Sequence, residues 1–292
     1  MKISGFTFLR NAESLGFPFI QSIQSVLPIC DEFIVNLGRS DDRTLEMLQA
    51  LNESKIKIIH SVWNDKMRAR GFMYGQQKMI AQYSCVGDWL FYLEADEVLH
   101  EKDLNAIKQA MNDYLNDDRV EALAFRYHHF YGNINTVAWS PAWYRQETRV
   151  IKSSVRSYAP DGLFWVVLDE HKSNKNGRYP HAIQLEVPIY HYGWVRSEQA
   201  MNAKVDQVKH FWGNDTVKKV DYSKIDPRSL RLFEGPHPAL VQNFFPAAQG
   251  LFQADPNHVL TKRERKNRWG AKLEKWFGWD LSKRHFSAVK TK

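Results

Sequence analysis

Short apolar runs alternate with longer amphipathic stretches over the first 127 residues, and this constrains the chain more than any other feature. Residues 3–9 predict a strand, and 11–14 open a helix expected to run to Val26 and stop at Pro28. Residues 31–37 predict a second strand. A polar loop, 38–44, follows, and Leu45, Leu48 and Leu51 then recur at helical spacing. A third strand is expected over 55–62, a helix over 71–84, a fourth strand over 88–93, a helix over 104–115 and a further strand over 122–127. Alternation of this kind demands crossover connections, so the expected fold class is α/β, a mostly parallel sheet flanked by helices. Ligands in such sheets bind beyond the carboxyl ends of the strands.

From 130 to 192 the pattern is β-rich and irregular, with strands expected over 149–152, 163–168 and 185–190. After about residue 197 it turns helical, with Met201, Val205, Val208, Phe211 and Trp212 on one face. The expected organisation is an α/β domain over 1–200, a helical C-terminal extension over 201–260 and a basic amphipathic tail over 261–292.

The chemistry concentrates in Trp89-Leu90-Phe91-Tyr92-Leu93-Glu94-Ala95-Asp96-Glu97. An apolar strand ends on three carboxylates within four positions. Residues two apart on a strand share a face, so Glu94 and Asp96 should point the same way and Ala95 the other. Like charges so close repel, and a divalent cation relieves them; oxygen ligands favour Mg²⁺ or Mn²⁺. An acidic surface turn is the plain alternative.

Composition excludes several classes. The net charge of +7 resides in the tail, where 261–292 hold eleven Lys or Arg against three Asp or Glu. The rest is nearly neutral, so nucleic acid is not an expected partner of the main body. Two cysteines, Cys30 and Cys85, make neither a disulfide framework nor a zinc motif, which fits a reducing, cytoplasmic compartment. No signal-peptide pattern opens the chain, and no apolar run reaches the ~20 residues that span a bilayer. Trp269, Leu273, Trp276 and Phe277 fall on one helical face amid Lys and Arg, a pattern that suits peripheral contact with the inner face of a membrane.

Three segments together resemble the inverting family 2 glycosyltransferases of GT-A fold. Phe8-Leu9-Arg10-Asn11-Ala12-Glu13 looks like the family's opening strand and its N-E turn. Val35-Asn36-Leu37-Gly38-Arg39-Ser40-Asp41-Asp42-Arg43-Thr44 looks like V-D-D-G-S-T-D-G-T with one residue inserted. Gly87-Asp88-Trp89 through Asp96-Glu97 is similar to the G-D-W…D-A-D-E segment of the branch that includes lipopolysaccharide-core glucosyltransferases.

The resemblance implies a metal-dependent transfer of a sugar from a nucleotide-sugar donor to a glycan or glycolipid acceptor. Asp96 matches the metal-binding Asp of D-x-D, and Glu94 the first acid, which contacts ribose or metal. Asn36 matches the base-reading Asp, Asp42 is a loop-ordering residue, and Asn11 and Glu13 belong to the nucleotide side. Leu168-Asp169-Glu170-His171 sits where relatives carry an H-E pair. Glu170, with Asp169 behind it, is the expected acceptor base. His191 is expected as a further metal ligand, whereas His128-His129 face opposite ways on a strand and are not expected to share an ion. Arg70 and Lys78, with Arg68, flank a helix beginning near Gly71 and are placed to meet the pyrophosphate. Two other readings compete. A sugar-phosphate nucleotidyltransferase is disfavoured because 10–13 lack a Gly-rich phosphate loop. A non-catalytic carbohydrate- or partner-binding relative is kept open by Asn36 and Glu94, which depart from the family pattern.

Overall fold

The computed structural model describes residues 1–168, 177–213 and 219–290. Its elements run β1 (Ile3–Leu9), α1 (Phe19–Val26), β2 (Glu32–Gly38), α2 (Thr44–Ala50), β3 (Ile56–Ser61), α3 (Phe72–Gln82) and β4 (Trp89–Tyr92). They continue β5 (Glu97–Leu99), α4 (Leu104–Tyr114), β6 (Ala122–Tyr131), β7 (Asn133–Ala138), β8 (Gln146–Lys152), β9 (Ser157–Tyr158) and β10 (Val166–Val167). β11 (His181–Trp194), α5 (Glu198–Trp212), β12 (Leu230–Leu232), α6 (Lys262–Phe277) and β13 (Ser287–Ala288) complete the chain.

The main sheet follows the order β12-β7-β6-β8-β4-β1-β2-β3, and β11 pairs with β6, β5 and β13. Pairing is parallel through β4, β1, β2 and β3. β1, β2 and β4 are buried almost throughout, as apolar strands covered by helices on both faces must be. This is the expected α/β class. Beyond β4 the sheet becomes mixed, because β8 enters antiparallel to both β4 and β6.

Three local expectations are corrected. The helix expected from residue 11 starts only at Phe19, after Pro18. Residues 11–16 form tight turns instead, with Asn11 at φ +53° and Gly16 at φ +66°. Their backbone N–H groups are claimed by side chains of the 40–44 loop: Thr44 Oγ1 accepts from Ala12, Asp42 from Ser14 and Ser40 Oγ from Asn11. Short polar side chains that offer such bonds compete with helix formation. Of the strand expected over 163–168, only Val166–Val167 forms, paired with β9 in a separate two-stranded sheet. The acidic run is a turn between β4 and β5 rather than a strand end.

The basic tail is tied to the domain. α6 opens on a capping box between Thr261 and Glu264. Arg268 grips Asp226 through two bonds of 2.7 and 2.8 Å, and Arg145 reaches Glu274 and Asp280. The chain then returns to the sheet, where His285 meets Glu147 and β13 pairs with the start of β11. No helix among the described residues is long and apolar enough to cross a membrane.

α3 approaches the 159–163 loop closely at Gly75, where a Cβ would meet the Ala159 carbonyl oxygen at 2.3 Å. Alanine in a helix ordinarily gains about 1 kcal/mol over glycine. Here overpacking against backbone should reverse the sign, so Gly75→Ala should destabilise the fold by about 1–3 kcal/mol in urea denaturation. A gain in stability would show that the 159–163 loop yields.

Candidate active site

The acidic turn lies at the carboxyl edge of β4 and is held from several sides. Ser22 Oγ of α1 donates to the Glu94 carbonyl oxygen (3.0 Å), and Ser25 Oγ accepts from Leu99 N–H (3.1 Å). Tyr192 N–H of β11 donates to the Asp96 carbonyl oxygen (2.8 Å). The turn separates its three carboxylates. Glu97 and Glu94 point to the Arg149 guanidinium of β8, while Asp96 points to α5 and its approach.

Arg149 and Glu97 are completely buried. The guanidinium binds Glu97 through Nε (2.8 Å) and Nη2 (2.7 Å), and Nη2 also reaches Glu94 (2.9 Å). Tyr127 Oη donates to the same Glu97 carboxylate at 2.8 Å. Burial works against the Glu97 charge, but Arg149 holds its carboxyl below the ordinary value. Glu94 is pushed up to about 8, first by burial and then by the neighbouring Glu97 charge, against the pull of Arg149.

Asp96, 2% exposed, receives two cations on one oxygen. Lys204 Nζ of α5 lies 2.8 Å from Oδ2, and Arg196 Nη2 lies 3.0 Å from it. Burial alone would raise the Asp96 carboxyl; the cations, led by Lys204, hold it well below the carboxylate range. Its other oxygen, Oδ1, lies 3.6 Å from His191 Nε2. Gly193 makes that approach possible, since a Cβ there would sit 2.4 Å from His191 Nε2.

The His191 tautomer follows from its partner. His129 Nε2 lies 2.6 Å from the Tyr144 carbonyl oxygen, which only accepts, so this nitrogen carries the proton. Burial drives the His129 pKa well below its ordinary value. The neutral ring therefore presents a lone pair at Nδ1, 2.8 Å from His191 Nδ1, and His191 donates there. Burial also lowers the His191 pKa, which leaves its Nε2 lone pair aimed at Asp96. Two acceptors face each other across 3.6 Å.

Glu94, Asp96 and His191 each offer a ligand atom, all within 4.8 Å of one another. Oxygen, oxygen and imidazole nitrogen suit Mn²⁺ or Mg²⁺, and a hydrogen bond from the far ring nitrogen, here to His129, orients a metal-binding imidazole. By donor type and spacing the three residues fit a divalent ion. The charge of Asp96 is already neutralised, however. Two unit charges 4 Å apart interact by about 4 kcal/mol at an effective dielectric of 20, so a dication beside the Lys204 ammonium meets roughly twice that in repulsion.

Glu94 and Asp96 form one wall of a cavity of about 300 Å³. Phe8, Trp63, Tyr74 and Tyr92 form an aromatic wall, and Arg10, Asp161 and Lys204 add charge. A second, larger cleft of about 1560 Å³ lies between α6 and the β6–β7 end of the sheet. Trp139, Trp143, Trp194 and Trp269 line it with basic residues that include Arg228, Arg263, Lys272 and Lys275.

The other residues expected at the site lie elsewhere. Asn36 is fully buried, its amide donating to Gln77 of α3 at 2.9 and 3.0 Å. Glu13 binds Arg43, and Asn11 Oδ1 accepts from Asp41 N–H, so both lock the 11–16 turn to the 40–44 loop. Asp42 orders the same loop by accepting from Thr44. Arg70 is exposed at φ +46° in the turn before α3 and does not line the cavity. Lys78 lies behind the cavity wall rather than in it. It is completely buried, bonded to the Leu163 carbonyl oxygen and set over the Tyr92 and Trp165 rings. Burial, then Arg149, lowers its pKa to about 7. Asp169 and Glu170 lie outside the described residues. His129, not expected at the site, joins it through His191, and Arg149, Arg196 and Lys204 were not foreseen.

No protein-family model matches the chain. An uncharacterized glycosyltransferase of Rickettsia typhi is 33% identical over 101 residues, 35% of this chain and 30% of the relative. An uncharacterized glycosyltransferase of Rickettsia prowazekii is 27% identical over 203 residues, 69% of this chain and 63% of the relative. The chain thus spans less than two thirds of either relative. Among solved structures, S. aureus TarS is similar at 11% identity and a TM-score of 0.41, over 77% of this chain and 42% of that one. Glucosyl-3-phosphoglycerate synthase from Mycobacterium tuberculosis, solved with Mn²⁺, UDP and glucosyl-3-phosphoglycerate, is similar at 16% identity and 0.31, over 44% of each chain. At TM-scores below 0.5 both likenesses are distant.

Arg149→Met should cost about 3–5 kcal/mol, because it strands buried carboxylates. Adding Glu97→Gln should recover part of that loss in urea denaturation. Equal costs for the single and double variants would show that the pair is uncoupled.

Proposed function

We propose that this chain is a glycosyltransferase that moves a sugar from a nucleotide-sugar donor to a glycan or glycolipid acceptor. The observation that carries the reading is the Glu94–Asp96–His191 cluster, two of whose residues line an aromatic-walled cavity, in a chain similar over 69% of its length to a protein named a glycosyltransferase. A family 2, inverting enzyme of the polysaccharide or lipopolysaccharide branch is the finer form of the proposal, and it rests on the sequence resemblance. Asn36, Arg70 and Lys78, expected at the donor from the sequence, do not line the cavity, and the donor side is assigned instead to the wall of Phe8, Trp63, Tyr74 and Tyr92 with Glu94.

The residues act as follows. The aromatic wall offers stacking surface for the donor's base and sugar. A divalent ion, when bound, supplies Lewis-acid neutralisation of the departing diphosphate, and Glu94, Asp96 and His191 would hold it. His129 keeps the His191 lone pair turned toward Asp96. Glu170, with Asp169, is proposed to take the proton from the acceptor hydroxyl as it attacks the anomeric carbon in a single displacement. The larger Trp- and Arg-lined cleft is proposed to hold the acceptor. Its surplus of cations favours an anionic glycan or glycolipid headgroup.

The exposed Trp269 and Trp276 of α6, 61% and 66% exposed, are proposed to reach an anionic lipid surface. The compartment proposed is cytoplasmic, with this contact at the inner face of the membrane.

Three experiments test the reading. Asp96→Asn keeps an amide oxygen for Arg196 and should lower nucleotide-sugar turnover by roughly 10²–10³-fold with an unchanged circular dichroism spectrum. Turnover near wild type removes Asp96 from the chemistry. Glu170→Gln should lose roughly 10²–10⁴-fold in turnover and retain donor affinity; a collapse of donor affinity instead would reassign the residue. Trp269→Ala with Trp276→Ala should reduce cosedimentation with phosphatidylglycerol vesicles, and unchanged partitioning would end the membrane assignment.

A further inference from the structure

Two cations stand on a single oxygen of the acidic turn. Arg196 is 2% exposed at its side chain and fixed by two acceptors, Asp96 Oδ2 at 3.0 Å and the Leu15 carbonyl oxygen at 2.7 Å. That single guanidinium already balances the Asp96 carboxylate, as Arg149 serves the Glu97 side of the turn. Lys204 brings a second positive charge to the same Asp96 oxygen at 2.8 Å. It is not a packing residue, since the buried residues of α5 are Met201 and Phe211. Its ammonium lies 5.0 Å from the centroid of the Phe17 ring, and the residue lines the 300 Å³ cavity together with Arg10. An ammonium carries three donors. Asp96 Oδ2 is the one hydrogen-bond acceptor of Lys204 Nζ among the described residues, so two donors are left for a ligand.

We propose that Lys204 is a diphosphate-binding residue: a cation tethered to Asp96 that holds the phosphate groups of the donor in the cavity without requiring a divalent ion. The inference rests on the nucleotide-sugar reading and adds a residue to it that the acidic run does not predict. The physical argument is one of sign. A diphosphate approaching the ionised Asp96 is repelled unless positive charge stands between them. Lys204 and Arg196 provide that charge from the protein itself, and Lys204 alone of the two lines the cavity. It comes from α5, whose Ser197 N-cap directly follows Arg196, so the two cations enter the mouth from one helix start and its second turn. Charge-assisted hydrogen bonds to phosphate oxygens are short and strong, and a lysine can turn its remaining donors without releasing its carboxylate.

The test is calorimetric titration of the full chain with inorganic pyrophosphate and with UDP, in Mn²⁺ and in EDTA. The wild type should bind in EDTA within about tenfold of its affinity in Mn²⁺. Lys204→Met should weaken binding in EDTA by roughly ten- to a hundredfold, the scale of one charge-assisted bond. Lys204→Arg should retain most of the affinity. Lys204→Gln, which keeps an N–H for Asp96 and loses the charge, should behave like Lys204→Met. Binding by the wild type only in Mn²⁺ overturns the role of Lys204 and leaves the nucleotide-sugar reading standing. Wild-type affinity in Lys204→Gln in EDTA overturns it equally, because the charge is then not the agent. Failure of the wild type to bind either probe in either buffer overturns both readings together.

Discussion

Arg149 is the interaction on which the site depends. A completely buried guanidinium binds Glu97 at two points and Glu94 at a third, in the seam where the antiparallel β8 meets β4. Without a fixed cation, three carboxylates could not stand within four residues at the end of a buried strand. With it, the turn folds inward, its carbonyl groups are taken up by Ser22 and Tyr192, and Asp96 is left to face the cavity. A buried ion pair adds little net stability over apolar packing, and its retention here has a positional meaning. It holds Glu97 inward and leaves Glu94 and Asp96 on the cavity wall.

The second layer of control is the pair of histidines. Tyr144 sets the His129 tautomer, His129 sets that of His191, and Gly193 clears the space in which His191 approaches Asp96. Each step depends on the absence of a competing donor or of a Cβ. The cavity mouth is therefore organised by neutral hydrogen bonding on one side and by cations on the other. Asp96 is the point where the two meet.

Much of the fold was legible because periodicity is a local property. The first four strands, α3, α4 and the helix after residue 197 lie where their apolar spacing put them. The start of α1 was not legible, because Asp42 and Thr44, some thirty residues away, take the N–H groups of the 11–16 turn. The acidic turn was visible as a cluster, and its partners were not. Arg196 and Lys204 come from 100 residues or more along the chain, and nothing near them in sequence marks them as partners of Asp96. Arg149 offered a usable sign, being a charge inside the strand run 149–152, where burial requires a counter-charge. Reasoning from strand alternation set His129 aside. It faces away from His128, as expected, but the face it takes is that of His191.

β11 joins these parts in one further respect. It is paired with β6 along one edge and with β5 and β13 on the other, so it cannot slide. His191 backs Asp96 of the smaller cavity's wall and Trp194 lines the larger cleft, three residues apart, which is at most about 10 Å of backbone. The strand thus acts as a ruler between the two hollows. Molecules seated in both at once must match its length, and the register shift that the strand already carries between those two residues sets the reach required of them.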